Sequence, residues 1–587
     1  MRLAMVNLFC ECYSWKMIRV LFLLLTGVIG IAFGQKAGQS SGNYSSDTKI
    51  LATGQQLFEN YCSSCHNFSQ RSIGPGLHQA TTESPKVWLK KFIRNAPAMI
   101  SSGDARATRL FGEYKQMMPP FPSLADDQVD AILAYIHKNQ KVVTAQQASA
   151  DIAIKDPIPA KIPQTGGQLF LQYHSTAPAT GSTAPLARIN KMQVLTGDQE
   201  RLFVVDLQGV LYEITDKTWH IALDIRPLRT HFTTSPGLGT GLGSFAFHPD
   251  FSENGLLYTS HAEKVHSVRG DLGFADSIKV GLQWVLTEWK IDNSSKLPFT
   301  GKSREVLRID LLTIAHGVQE ITFNPLVRKS HDDYGLLYIG IGDGGSAEKK
   351  GFYPLCSNNK VPSGSVLRID PLGRTSRNQQ YGIPSTNPFA FEKDPTVLKE
   401  IYCRGFRNPN RIIWTPDGKM LIDDIGQSNI EEVNLGIVGA DYGWPEREGT
   451  FRVDPRGDIN KVFAVSTTES DKKYTNPILQ YDHDEGRAIS GGFVYDGQTI
   501  PALKGKYVFS DITNGRVFMT ENRDLLVGKL APIQELDLWV DNERTTFQKL
   551  NGTAKPDSRL GIGPGGELYF FTKADGKLYK VIGFQPK

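Results

Sequence analysis

The sequence predicts a multidomain chain in which a small all-α domain is followed by a much larger all-β domain, and three observations carry that expectation. Near the front, "ENYCSSCHNFSQRSIGPGL" (59–77) sets Cys62, Cys65 and His66 in a C-x-x-C-H arrangement within a helical context. From residue 165 onward, helical periodicity gives way to short apolar alternations punctuated by glycine, proline and aspartate. Between the two, "KVVTAQQASADIAIKDPIPAKIPQ" is small, polar and proline-bearing, the composition of a linker. The expected bounds are a helical domain over 51–142, a linker over 143–164 and the β-domain over 165–587.

The first element is an export signal over residues 1–34. "MIRVLFLLLTGVIGIAFGQ" supplies Arg19, an apolar run from Val20 to Ile31, and Ala32 and Gly34 as the small residues of a cleavage box. Residues 1–16 fit neither a signal nor a fold, so Met17 is a candidate true start, which would remove Cys10 and Cys12. An uncleaved anchor is the alternative, but the run is short for a span of roughly 20 residues. No other stretch approaches that length, so the mature chain is expected to carry no stable membrane span and to be periplasmic or secreted.

Three chemistries compete for the C-x-x-C-H segment. Zinc needs four ligands, and adjacent Cys65 and His66 do not easily face one tetrahedral ion. A thioredoxin-type pair needs a βαβ setting, whereas "TGQQLFENYCSSCHNF" reads as helix with Leu57, Phe58 and Tyr61 on one face, and it leaves His66 without a role. Covalent haem c uses all three residues: two thiols add to the porphyrin vinyl groups and the imidazole ligates the iron. That reading needs a second axial ligand, and "QMMPPFPSL" holds methionines in a proline-braced segment; Met118 is the choice, with Met117 and Met99 as core-filling alternatives. "GPGL" at 74–77 supplies a turn from which Pro75 can direct a carbonyl at the other imidazole nitrogen. "SLADDQVDAILAYIHKN" then predicts a closing helix, capped by Ser123, with Val129, Ile132, Leu133 and Ile136 as its apolar stripe. Residues 51–142 thus resemble a class I c-type cytochrome domain.

Composition narrows the rest. At 587 residues, one domain of about 90 residues leaves most of the chain unexplained. Apolar residues at 40% suffice for globular cores, and the net charge of +4 comes from interspersed charges without basic arms, so nucleic acid is not an expected partner. Cys356 and Cys403 are candidates for a disulfide in an oxidising compartment.

Segments such as "RLFVVDLQGVLYEI", "DYGLLYIGIGDGG", "TPDGKMLIDDIGQ" and "PGGELYFFTKADGKLYKVI" each read as strand, tight turn and strand. Roughly 420 residues of such hairpins suit a six-bladed β-propeller of about 70 residues per blade, because radial repetition leaves few exposed sheet edges.

Particular stretches add a resemblance. "GLGSFAFHPDFSENGLLYTSH", "AHGVQEITFNP", "GSVLRIDPLG", "YGIPSTNPFAF" and above all "EIYCRGFRNPNRIIWTPDGKMLIDDIGQSNIEEVNLGIVGADYGWPEREG" resemble the glucose/sorbosone dehydrogenase family, six-bladed propellers that include the soluble sugar dehydrogenases using pyrroloquinoline quinone (PQQ). The resemblance implies that His316 is the general base that takes the substrate's hydroxyl proton, and that Arg407 and Asn408 contact PQQ. It implies carbonyls of Gly426 and Gln427 on a calcium ion beside the quinone, with Glu432 and Tyr442 on a neighbouring calcium. The chain departs from the pattern at Ala315, where an aspartate precedes the histidine; in "GLGTGLGS", where a substrate-contacting glutamine is replaced by glycine; near "FSDITNGRVF", which lacks a lysine; and at "KPDSRLGIGPGG", which keeps only Arg559 of two arginines.

The expected function is a periplasmic quinohaemoprotein that oxidises a sugar or polyol and passes electrons through haem c to a downstream respiratory acceptor. The alternative is an electron-transfer cytochrome fused to a binding propeller without chemistry of its own.

Overall fold

In the computed structural model, which describes residues 43–587 apart from 63–65, 67, 69–73, 115–116, 141–151, 198, 238, 350, 352 and 466–472, the first element is the helix Thr48–Tyr61. It starts at Asp47, whose carboxylate accepts from the backbone N–H of Lys49 at 2.8 Å and of Ile50 at 3.0 Å, satisfying two donors the first turn leaves open. The expected export signal, Cys65 and part of the expected linker lie outside the described residues.

The closing helix runs Asp126–Lys138 and lays Val129, Ile132, Leu133 and Ile136 into the helical core with Phe58, Ile93 and Phe121. Its cap differs from the expectation. Leu124 turns inward and leaves Ser123 exposed, so the first turn begins after Ala125, whose N–H donates to the Gln128 side chain at 2.9 Å. Asp126 and Asp127 supply the negative charge the helix N-terminus favours. The first and last helices cross at Gly54, where any Cβ would strike the backbone of Ala131. Among the described residues, no helix is long and apolar enough to cross a membrane.

The rest is a large all-β domain. Its hairpins build sheets in chain order. Sheet one is Ile189–Leu195, Arg201–Asp206, Val210–Thr215 and Thr218–Asp224; sheet two is Leu242–Phe247, Leu256–Glu263, Leu282–Ile291 and Gly301–Leu311. Sheet three is Val318–Phe323, Leu337–Ile341, Ser365–Ile369 and Ile401–Arg404; sheet four is Pro409–Trp414, Met420–Asp424, Ile430–Leu435 and Leu479–Asp482. Sheet five is Ile489–Val494, Lys506–Asp511, Val517–Glu521 and Gln534–Glu535. A sixth sheet joins the C-terminal strands Ser558–Ile562, Leu568–Thr572 and Lys577–Gln585 to Gln168–Thr176 from the start of the domain, with Asp537–Val540 and Glu543–Thr545 beyond it. The leading strand of each sheet touches that of the next, and Ser558–Ile562 returns to Ile189–Leu195.

In all five four-stranded sheets the register slips at the start of the leading strand. The residues left without a cross-strand partner include Asn190, Gln319 and Asn410. A bulge of this kind frees a side chain from the pleat and re-aims it. The same three amides meet groups from other sheets. Asn190 Nδ2 donates to Gly243 O at 2.7 Å and lies 3.4 Å from Gln319 Oε1, and Arg559 Nη1 is 3.5 Å from Asn410 Oδ1. Cys356 and Cys403 are both buried free thiols, the former 2.9 Å from Ser346 Oγ, so neither forms a disulfide.

Candidate functional site

Two sites emerge, one in each domain. In the helical domain Cys62 ends the first helix, its N–H on Phe58 O at 2.8 Å, and the His66 N–H returns to Cys62 O at 2.9 Å. That bond holds His66 against the C-terminal end of the helix. His66 Nδ1 lies 2.9 Å from Pro75 O. A proton on Nδ1 donates to that carbonyl and leaves the Nε2 lone pair for a metal. Gly74 lies so close to the ring that a Cβ there would overlap it. Burial lowers the affinity of His66 for a second proton, which keeps Nε2 a ligand, and the Pro75 bond opposes that only in part. Met118 packs half-buried on the cluster of Phe58, Phe121 and Cys62, whereas Met117 and Met99 do not join it. A half-buried neutral imidazole and a core-facing thioether fit haem c.

The second site lies at one end of the β-domain, where the connections between sheets two and three, and between sheets three and four, converge. His316 sits in the loop before Val318–Phe323 with φ 50°, a left-handed conformation that costs a non-glycine residue about 1–3 kcal/mol and therefore needs support. Gly317 and Gly342 provide room on either side: a Cβ on Gly317 would strike Trp284, and one on Gly342 would strike His316 itself. His316 Nδ1 is 2.6 Å from Asp343 Oδ1. Asp343 is 1% exposed and also accepts from Gly345 N at 2.8 Å and from Trp444 Nε1 at 2.9 Å. Burial, reinforced by the Arg407 guanidinium, holds His316 below the ordinary histidine value against the pull of Asp343. Burial pushes the Asp343 carboxyl up, but His316, Arg407 and Trp444 outweigh it and keep it ionised.

Arg407 and Asn408 precede the leading strand of sheet four. Their N–H groups donate to the two oxygens of Asp424 at 3.0 and 2.6 Å, which fixes the turn. Arg407 Nε donates to Gln427 Oε1 at 2.7 Å and Nη1 to Ile425 O at 3.1 Å. Glu348 stands 3.8 Å from Arg407 Nη2, and burial pushes its carboxyl up to about 8. Two acceptors here, Asn408 Oδ1 and Glu348 Oε1, are buried without a hydrogen bond. Orphaned acceptors of this kind call for a donor from a bound group or water.

The leading strands of the sheets also carry a cluster of buried polar side chains. Lys191 Nζ contacts Glu320 Oε1 at 2.5 Å, and Arg411 Nη1 contacts Glu320 Oε2 at 2.6 Å. Lys573 Nζ is 3.1 Å from Asn190 Oδ1 and 3.8 Å from Asp557. Burial, with Arg559 nearby, drops Lys573 well below the usual lysine range. Sequence reading missed Asp343, Glu348 and Lys573. A glycine-flanked aspartate directly after a strand, "IGIGDGG", was a signal for the first; nothing local marked the other two.

The expected calcium residues are brought together in part. Gly426 and Gln427 follow Met420–Asp424, with their N–H groups committed to Glu431 at 3.3 Å and Glu448 at 2.7 Å. Glu432 accepts from Asn434 Nδ2 at 2.8 Å and Gly449 N at 2.7 Å, and burial raises it to about 7. The Tyr442 hydroxyl donates to Leu435 O. Among the described residues, no group of three or more acidic, histidine or cysteine side chains is placed to hold a metal ion.

Comparison with known proteins adds to this geometry. The family model described as "Glucose / Sorbosone dehydrogenase" matches residues 190–580, and that described as "Cytochrome c" matches 51–140. The HIPL2 protein of Arabidopsis thaliana is 29% identical over 313 residues, 46% of this chain and 42% of that protein. Quinoprotein glucose dehydrogenase B of Acinetobacter calcoaceticus is 27% identical over 282 residues, 47% of this chain and 53% of that protein. The chain thus spans about half the length of such relatives. The structure of the PQQ-bound form of aldose sugar dehydrogenase from Streptomyces coelicolor aligns over 72% of this chain and 99% of its own, with 18% identity and a TM-score of 0.46.

Proposed function

Because the chain belongs to the glucose/sorbosone dehydrogenase family and carries a cytochrome c domain ahead of that region, we propose that it is a periplasmic or secreted quinohaemoprotein. It oxidises a sugar or polyol at the His316 face and delivers electrons to haem c held by Cys62, Cys65, His66 and Met118, for onward passage to a respiratory acceptor. Six of the seven sheets among the described residues are its blades, a reading supported by the ring of contacts among their leading strands; the seventh is the short sheet Arg447–Glu448, Phe451–Val453 and Val462–Phe463. The observation that carries the enzymatic reading is the His316–Asp343 pair, 2.6 Å apart, strained, buried and beside Arg407.

His316 is kept neutral, so Nε2 is free to take the substrate's hydroxyl proton while Nδ1 holds Asp343. Asp343 fixes the tautomer and stabilises the imidazolium that follows. PQQ, if bound there, would supply a two-electron hydride acceptor. Arg407 and the orphaned Asn408 Oδ1 would hold it. A calcium ion would rest on the carbonyls of Gly426 and Gln427, and Glu432 and Tyr442 would serve a neighbouring calcium ion.

The test is reconstitution of the haem-loaded chain with PQQ and calcium, followed by sugar addition under a visible spectrum. Reduction of the haem supports the reading, and no uptake of the quinone supports a binding propeller instead. His316→Ala should abolish sugar-driven haem reduction, a loss of at least about 10²-fold, with the haem spectrum unchanged. Persistence of reduction in that variant would remove His316 from the role of base.

A further inference from the structure

The turn 482–488 leaves the last strand of sheet four and enters sheet five, and the helical domain touches it there. We propose that this turn is the docking surface on which the chain's own haem-bearing domain is held at the His316 face, with Arg487 as the positioning residue. The inference deepens the sugar-oxidising reading and rests on it for the electrons that cross.

The contact itself is a charge set on a helix end. Arg487, half-buried, donates from Nη1 to Tyr114 O at 2.8 Å. Tyr114 closes the helix Ala105–Tyr114, and the last carbonyls of a helix lack partners within it and carry the negative end of its dipole. A guanidinium satisfies both needs at once. The turn also belongs to the same end of the β-domain as the site: Glu431 Oε2 accepts from Ile489 N, two residues beyond Arg487, at 2.8 Å and from Gly426 N at 3.3 Å. Gly426 adjoins Gln427, whose side chain holds Arg407.

The stretch expected as a linker is, from Ile154 onward, a strap bound to this same turn. Ile154 N donates to Val462 O at 2.9 Å, Ile158 N to Asp482 Oδ2 at 3.2 Å, Lys161 Nζ to Asp484 Oδ2 at 2.8 Å and Ile162 N to Glu485 Oε1 at 3.0 Å. Gln140, the last described residue before the strap region, is fourteen positions from Ile154, a reach of at most ~50 Å. A tether of that length keeps the helical domain beside its dock and makes docking intramolecular.

Both points of contact lie next to the haem attachments. Tyr61 precedes Cys62 and packs against the buried cluster of sheets two and three, which includes Ile314, two residues before His316. Tyr114 stands four residues before Met118. The segments that grip haem thus meet the β-domain on two flanks of the His316 face. Electrons taken from the sugar there cross singly: each alcohol gives two, each electron reduces ferric haem to ferrous, a one-electron acceptor outside the chain reoxidises the iron between them, and two protons pass to solvent.

The experiment compares the haem-loaded chain, reconstituted with PQQ and calcium, with Arg487→Glu, which sets a carboxylate against the helix end, and with Arg487→Lys. Stopped-flow absorbance follows sugar-driven haem reduction, and phenazine methosulfate, a small dye, reports oxidation at the His316 face directly. In the parent the haem rate constant should be independent of protein concentration. Arg487→Glu should lower it about tenfold or more and make it rise with protein concentration, Arg487→Lys should restore most of it, and dye reduction should be unchanged in both variants. A parent-like haem rate in Arg487→Glu overturns the inference, as does a loss of haem and dye reduction together, which would make Arg487 a structural brace. Small-angle scattering of the haem-loaded chain without quinone or sugar reads docking by itself, and Arg487→Glu should lengthen the particle whereas Arg487→Lys should not. If the parent reduces neither dye nor haem, the sugar-oxidising reading fails and scattering alone decides the docking surface: a lengthened Arg487→Glu particle upholds it and an unchanged one overturns it.

Discussion

His316 shows how a residue's chemistry is set by what surrounds it. Its sequence neighbour Ala315 brings no charge, yet an aspartate reaches it from 27 residues away, because the turn after Leu337–Ile341 lies against the loop before Val318–Phe323. The orienting carboxylate is thus supplied by packing. Glu348 is the second informative residue. An ordinary glutamate ionises near 4.5, but burial pushes this one up to about 8. Between those values the folded state retains a proton that the unfolded state releases, so stability falls as pH rises from about 4.5 to 8. Glu348→Gln removes that cost. Thermal unfolding should show the variant and the parent alike near pH 5 and the variant more stable at pH 8, by on the order of 2–4 kcal/mol. An unchanged difference across that range would mean the Glu348 carboxyl is not protonated in the folded protein.

Elements carry the site through two devices, the bulge and the glycine. Each four-stranded sheet slips register at the start of its leading strand, and in sheets one, three and four the freed residue is Asn190, Gln319 or Asn410. Alternation alone predicts hairpins and their pleat, but it cannot announce a slip, because a bulged amide breaks the pattern by one residue and reads as noise. Glycines mark close approaches more openly. Gly74 is pressed against the His66 ring, so Gly74→Ala should destabilise the helical domain by about 1–3 kcal/mol and reduce the fraction of chains carrying covalent haem, measured by mass and absorbance. Full haem loading in that variant would show that the ring can shift without consequence. The closing helix teaches the same lesson about caps: its apolar stripe was legible at Val129, Ile132, Leu133 and Ile136, whereas its first residue was set by where Leu124 had to be buried.

At the scale of the molecule, the β-domain is closed by sequence-distant strands. Gln168–Thr176 from its beginning lies between Lys577–Gln585 from its end and Asp537–Val540, burying Leu169 and Leu171. Fastening of this kind makes the unfolding of the first and last sheets one event. Removal of residues 165–176 should therefore cost at least about 3 kcal/mol, from the two leucines alone, and should split a single thermal transition into two. A single transition at the parent's midpoint would show that the strand is dispensable. The covalent order also sets function at this scale: helix, Cys62 and the docked Tyr61 put the haem-bearing segment against the same domain that holds His316.

By itself the sequence determined the two-domain plan, the cytochrome c domain with its C-x-x-C-H and GPGL segments, and the hairpin-built β-domain, because spacing and periodicity are local and survive without coordinates. Tertiary structure alone decided that Asp343 lies against His316, that Glu348 is buried beside Arg407, and that Lys573 is buried against Asn190. Those facts depend on contacts between residues tens to hundreds of positions apart, and on desolvation, which a linear chain does not display.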